Sequence, residues 1–177
     1  GTIMKELILK VEQWAQDRNL INGCKPIDQA MKLFSEAGEL ADNIGKGRDI
    51  KDDVGDVLVV LIIISKQLNN SMDNLIFHKY QWADDHPKKL ALELMLSLGE
   101  FAKWASLDFY HVGIVKRIIN ILNGIAIANN TALDECLAVA YNDIKNRTGK
   151  MVNGMFVKST DIDKSDLIKS IESNYSV

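Results

Sequence analysis

The acidic pairs Glu36/Glu39 and Asp53/Asp56 are the residues of this chain best suited to chemistry. They lie in Glu36-Ala37-Gly38-Glu39 and Asp53-Val54-Gly55-Asp56, each reading acid, small or branched apolar, glycine, acid. On a helix, the i, i+3 spacing puts two carboxylates on neighbouring positions of one surface, about one turn apart. Two such helices side by side bring four carboxylates to one point. Converging carboxylates repel each other unless a cation sits among them, and their oxygens are the hard ligands that Mg²⁺ accepts. The expectation is a Mg²⁺ site, open also to Mn²⁺, held by Glu36, Glu39, Asp53 and Asp56. A solvated helix face explains a lone ExxE equally well. Asp49, Asp52 and Asp53 also suit the first turn of a helix, where acids complement the dipole. Two pairs on consecutive segments, the second abutting an apolar run, favour the metal.

The elements that must position these acids read as helices. Residues 26–44 begin with Pro26, suited to a first turn, and Asp28. Ala30, Leu33, Phe34, Ala37, Leu40, Ala41 and Ile44 then follow a helical period. Gly45-Lys46-Gly47-Arg48 breaks the pattern. A further helix is expected over about 50–68. Its centre, VLVVLIII, has high β-propensity, so a buried strand is the alternative. The apolar pattern continues to Leu68, and a lone strand would have no partner, which favours helix. Asp53 and Asp56 then share a face with Val57, Val60, Ile63 and Ile64, at the polar end of a buried stripe.

Around this pair, 3–20 places Ile3, Leu7, Ile8, Val11, Trp14 and Ala15 at helical spacing. Residues 71–86 read as a linker with a short helix. Helices are expected from Pro87 to about Leu107, from His111 to about Asn129 and from Ala132 to Arg147. Asn153-Gly154 marks a turn. Residues 158–177 read as a polar, loosely attached tail. The fold expected is an all-α bundle of about six helices.

The second half echoes the first. Ser97-Leu98-Gly99-Glu100 resembles Glu36-Ala37-Gly38-Glu39, and His111-Val112-Gly113-Ile114 resembles Asp53-Val54-Gly55-Asp56, at offsets of 61 and 58 residues. The glycines persist while three of the four acids are replaced. Glycine inside a helix costs about 1 kcal/mol relative to alanine, so four of them point to close crossing of helix backbones. The echo suggests two helical hairpins packed face to face, a degenerate internal repeat in which one carries the acids and the other forms a wall.

The 177 residues, 47% hydrophobic and 25% charged, suit about one domain with a real core. A net charge of −3 gives no general attraction to nucleic acid or to an anionic membrane. The longest apolar run, Val57 to Ile64, is too short to span a bilayer, and no signal-peptide pattern is visible. The expected location is the cytoplasm. Cys24 and Cys136 form neither a metal-ligand spacing nor a disulfide framework. His78, His86 and His111 are not placed as the Glu-x-x-His of a di-iron bundle. GxxxxGK[ST], GxGxxG and CxxC are absent.

Gln29-x-x-Lys32-Leu33-x-x-Glu36-x-x-Glu39-Leu40 followed by Asp53-x-x-Asp56-Val57-Leu58 resembles the MazG-like branch of the all-α nucleoside triphosphate pyrophosphohydrolases. The hallmark of that family is ExxE, a spacer, then ExxD. The stretch from Cys136 to Lys158, CLAVAYNDIKNRTGKMVNGMFVK, resembles the end of short MazG-like proteins, many from phages. Asp53 departs from the usual Glu and is shorter by one methylene. Residues 71–130 are extra relative to the short members, although the dimeric dUTPases of the superfamily also carry an additional helical half.

The resemblance implies one such domain over 1–157 and hydrolysis of a (deoxy)nucleoside triphosphate to monophosphate and pyrophosphate. Glu36, Glu39, Asp53 and Asp56 would hold Mg²⁺, which neutralises phosphate charge and lowers the pKa of a water. Glu36 or Glu39 would accept the proton of that water. Lys145 and Arg147 match basic positions near the end of the family's C-terminal helix. Lys32, one turn before Glu36, joins them as a candidate phosphate contact, with Lys46 and Arg48 as further loop cations. Gln29 has the donors and acceptor to read a base edge. Trp14 is suited to stack on a base, although its spacing also fits the core. A homodimer or larger homo-oligomer is expected, because the Val57–Ile64 run is apolar on all sides. The other class of function consistent with these residues is a non-catalytic nucleotide-binding or helical assembly module that kept the fold.

Overall fold

The structure, a computed structural model, describes residues 2–75 and 86–175. The described residues form an all-α bundle with one small β-hairpin. In chain order these are α1 (Thr2–Asp17), α2 (Pro26–Lys46), α3 (Lys51–Gln67), α4 (Pro87–Ser106), α5 (Val112–Ala128), α6 (Leu133–Ile144), β1 (Gly149–Val152), β2 (Met155–Lys158) and α7 (Lys164–Tyr175). A short 3-10 helix, Met72–Asn74, follows α3. The rest of the expected linker, with His78, lies outside the described residues. No single described helix is long and apolar enough to cross a membrane.

Local chemistry sets the bounds of the site helices. Pro26 opens α2, where its missing N–H costs nothing. Gly47 closes α2 in the left-handed region at φ 66°. The Gly47 and Arg48 N–H groups bond back to Ile44 and Asn43 carbonyls at 3.2 and 2.9 Å, satisfying the last turn. The β-prone run is helical: α3 carries it through the centre of the core, and every residue from Val57 to Ile64 is buried. Helices α1, α2, α5 and α6 cover α3. A single chain therefore covers the run on all sides, and the reason given for a homo-oligomer no longer holds.

The α2–α3 hairpin has a counterpart in α4–α5, and α2 packs on α4. Pro26 and Pro87 open equivalent helices, Lys51 and Val112 open the next pair, and Gln67 and Ala128 close it, each 61 residues apart. The second offset is thus 61, not 58. In this register Ser97 stands for Glu36, Glu100 for Glu39, Ile114 for Asp53 and Arg117 for Asp56. His111 is a helix cap: its Nδ1 accepts from the Ile114 N–H at 3.1 Å.

Close backbone approach accounts for one glycine of the echo. A Cβ on Gly55 would collide with the Cys136 carbonyl oxygen of α6 and lie 2.6 Å from Ala140 Cβ. Gly38 and Gly99 face open space, and Gly113 meets only the ring of its neighbour His111.

After α6 the chain makes a two-residue hairpin, with Val152 paired to Met155. Asn153 and Gly154 both take positive φ, 50° and 80°, as the right-handed twist of a tight hairpin demands. Helix α7 packs against β1, in the stretch read from sequence as a loose tail.

Candidate active site

Three of the four expected acids converge. Carboxylate oxygens of Glu36, Glu39 and Asp56 lie within 4.8 Å of one another. Helix α2 supplies the first two one turn apart, and α3 sets Asp56 beside Glu36. Glu36 is buried, Asp56 half-buried and Glu39 exposed, so the group runs from the core to solvent. Lys32 Nζ holds Glu36 Oε1 at 2.9 Å. Glu36 Oε2 is buried with no hydrogen-bond partner. An orphaned carboxylate oxygen in such a place is costly unless a cation takes it.

The repulsion is visible in the protonation behaviour. Burial, and then the Glu36 charge beside it, push the Asp56 carboxyl up to about 8, with Arg147 opposing. Burial and Glu36 also raise Glu39, against the pull of Lys32 and Lys158. Asp52 rises to about 6 through burial and a hydrogen bond with Asp143 of α6. A divalent cation replaces the protons that otherwise hold such acids together, so the donor set fits a hard cation such as Mg²⁺.

Asp53 stands outside this triad. It is buried, and its Oδ2 accepts from Asn43 Nδ2 at 2.8 Å. That bond ties the start of α3 to the last turn of α2. Three of the four expected acids thus share one point, and Asp53 lies close enough for its charge to raise Glu39 and to be raised, after burial, by Glu36.

Beside the triad lies a pocket whose walls combine Trp14, Val60, Ile63 and Phe156 with Gln29, Lys32, Glu36, Asp56, Arg147 and Lys158. Gln29 is buried and contributes to the pocket lining. Trp14 belongs to the core and also lines the pocket. Its Nε1 donates to the Ile144 carbonyl at 2.9 Å, while its ring lines the pocket, edge-on to Phe156 at 6.3 Å.

The cations divide. Arg147 lines the pocket, whereas Lys145 is exposed and lies outside its lining. Lys46 pairs with Asp42 at 2.6 Å, and Arg48 is exposed away from the pocket. Lys158, placed by the sequence reading at the head of a tail, instead ends β2 on the pocket wall. The signal for it was Asn153-Gly154 flanked by Met151, Val152, Met155, Phe156 and Val157, a hairpin pattern that returns the chain to its start. Arg18 was also missed. It sits over the Trp14 ring at 4.7 Å and donates to the Arg147 and Lys145 carbonyls at 3.1 and 3.2 Å. Trp14 and Arg18 together cap three carbonyls at the end of α6 and fix the segment that carries Arg147.

No protein-family model matches the chain, and no solved structure matches it. A curated protein of Haemophilus phage HP1, the "Uncharacterized 18.2 kDa protein in rep-hol intergenic region", is similar: 41% identical over 75 residues. The match covers 41% of this chain and 45% of the phage protein, so it spans less than half of that relative.

Proposed function

We propose that the chain is a Mg²⁺-dependent nucleoside triphosphate pyrophosphohydrolase, cleaving its substrate to a monophosphate and pyrophosphate. The observation that carries this reading is the convergence of Glu36, Glu39 and Asp56, with Glu36 Oε2 unpartnered, at the edge of an aromatic pocket rimmed by Lys32, Arg147 and Lys158. Aromatic walls and a buried carboxamide suit a nucleobase, and the cations suit phosphate. The resemblance to MazG-like proteins points the same way.

Bound Mg²⁺ would supply charge neutralisation at the phosphate and a water acidic enough to attack it. The chain's own residues do the rest. Lys32 fixes the Glu36 carboxylate through Oε1 and leaves Oε2 without a hydrogen bond. Glu39, at the solvent end of the triad and raised in pKa by burial and by Glu36, accepts the proton. Arg147 and Lys158 meet phosphate oxygens. Trp14 and Phe156 exclude water from the base, and Gln29 offers it two donors and an acceptor.

A second reading, nucleotide binding without turnover, draws on the diversion of Asp53 to Asn43, which leaves three acids where the family hallmark has four. A homodimer belongs to the first reading. Its support is the exposed Ile27, Met31, Leu92 and Leu96 on the neighbouring helices α2 and α4, and light scattering that gives a monomer at micromolar concentration would remove it. The experiment for the main reading is a panel of common and damaged dNTPs and NTPs with Mg²⁺, scored for pyrophosphate. Release from at least one supports hydrolysis. Tight binding of a triphosphate with no release from any supports the second reading.

A further inference from the structure

The aromatic pocket is closed too tightly for a ligand of the size it suits. It encloses about 70 Å³. Sites that hold such ligands run to about 300–1,000 Å³. One wall must therefore give. Trp14, Gln29, Val60 and Ile63 stand on core helices and are buried. Met155, Phe156 and Lys158 belong to β2, where every side chain is only half-buried. Among the described residues, no backbone hydrogen bond joins 149–158 to helices α1–α6. The ties are weaker ones: Phe156 is edge-on to Trp14 at 6.3 Å, and Cys24 Sγ lies 3.4 Å from Met151 Sδ. The hairpin itself holds together. A Cβ on Gly149 would lie 2.7 Å from the Phe156 ring, so that ring rests across β1 and travels with it. At the foot of the strands the Ser159 N–H donates to the Thr148 carbonyl at 2.9 Å, and the two hydroxyls are also 2.9 Å apart.

We infer that the β1–β2 hairpin is a lid. It swings about the Thr148–Ser159 pair, lifts Met155 and Phe156 off the pocket to admit a ligand, and returns to exclude water. Helix α7, which packs on β1, moves with it. The inference goes beyond the function proposed above: it needs a pocket that fills, not a bond that breaks. Local opening is governed by the contacts it gives up, and here these are a half-buried ring and a sulfur pair rather than a ladder of hydrogen bonds. Cys24 reports the motion. Its thiol is buried against Met151 and meets solvent when the hairpin lifts. Cys136 is fully buried in the core where α6 crosses α3, and the lid does not cover it.

The experiment labels the native full chain with N-ethylmaleimide and follows Cys24 and Cys136 separately by peptide mass spectrometry. In wild type, Cys24 should react about a hundredfold faster than Cys136 or more, and its rate should change little with urea below the unfolding transition, as local opening requires. Phe156→Ala removes the ring that holds the lid down, so Cys24 should react about tenfold faster while Cys136 stays within about twofold. Should Phe156→Ala fail to fold, Phe156→Leu is read the same way, with a smaller gain at Cys24. Equal rates at the two thiols in wild type overturn the lid. A Cys24 rate indifferent to Phe156 overturns it too, because the opening then belongs to the loop before α2. Equal acceleration of both thiols assigns the effect to global unfolding and overturns it as well. None of these readings involves turnover, so the lid and the hydrolase reading fail separately.

Discussion

Arg117 lies 3.5 Å from Glu100, at the two positions that correspond to Asp56 and Glu39 in the first hairpin. Where α2 and α3 bring two acids together, α4 and α5 pair an acid with a base. The second hairpin satisfies its carboxylate internally, and the first leaves its carboxylates facing one another. Ser97, buried in the place of Glu36, completes the difference. Glu100→Gln should leave pyrophosphate release unchanged and stability within about 0.5 kcal/mol, because an exposed ion pair contributes little. Urea titration and a turnover assay check both. Loss of activity at Glu100 would place the site on the wrong hairpin.

The metal should appear in thermal stability. On the proposed reading Mg²⁺ or Mn²⁺ would bind the folded triad and not the separated acids of the unfolded chain, so millimolar metal should raise Tm. Glu36→Gln should raise the metal-free Tm and abolish the gain from metal, since it removes one of the repelling charges. An unchanged midpoint in wild type at millimolar metal would remove the metal site.

The pH dependence follows from Asp56. Its folded pKa of about 8 stands well above the ordinary value of about 3.9, so the folded state holds more protons between those limits. This group's contribution is fully present below about pH 4 and is lost as pH rises through about 8. Glu39, also raised, adds in the same direction. In EDTA, Tm should fall from pH 5 to pH 8. With Mg²⁺ the fall should shrink, because the cation takes the deprotonated form. A metal-free Tm that climbs over the same range would contradict this account of the triad.

Two glycines should answer oppositely to alanine. Gly55→Ala drives a methyl into the Cys136 carbonyl and should cost about 1–3 kcal/mol. Gly99→Ala points into open space and should gain up to about 1 kcal/mol from helix propensity. Chemical denaturation of both measures it, and equal effects would mean that α3 and α6 are less closely packed than described.

The helices were legible because their signals are local. Pro26 and Pro87 start two of them, Gly47 stops one, and apolar periodicity runs between. The shared face of Glu36 and Glu39 was legible for the same reason, since i, i+3 spacing fixes it, and Asp56 joins them because α3 packs on α2. Contacts that depend on tertiary reach were not. The tie between Asp53 and Asn43 joins side chains of two different helices. Lys158 reaches the pocket only because the hairpin turns back at Asn153-Gly154. Lys145 and Arg147 are two residues apart, yet one lines the pocket and the other does not, which depends on how the chain leaves α6. The register of the echo was misread because it was taken from glycines, and Gly55 and Gly113 are not equivalent. Helix ends give the single offset of 61.

On the proposed function, three carboxylates on α2 and α3 would make this chain a hydrolase of nucleoside triphosphates. The most direct test is pyrophosphate release from the best substrate of the panel, for wild type and Asp56→Asn, with Mg²⁺ and with EDTA. Asp56→Asn keeps the volume and removes the charge, so folding is expected to survive. The account predicts release by wild type with Mg²⁺, none in EDTA, and a loss of about a hundredfold or more in folded Asp56→Asn. Full activity of Asp56→Asn, or release by wild type undiminished in EDTA, would contradict it.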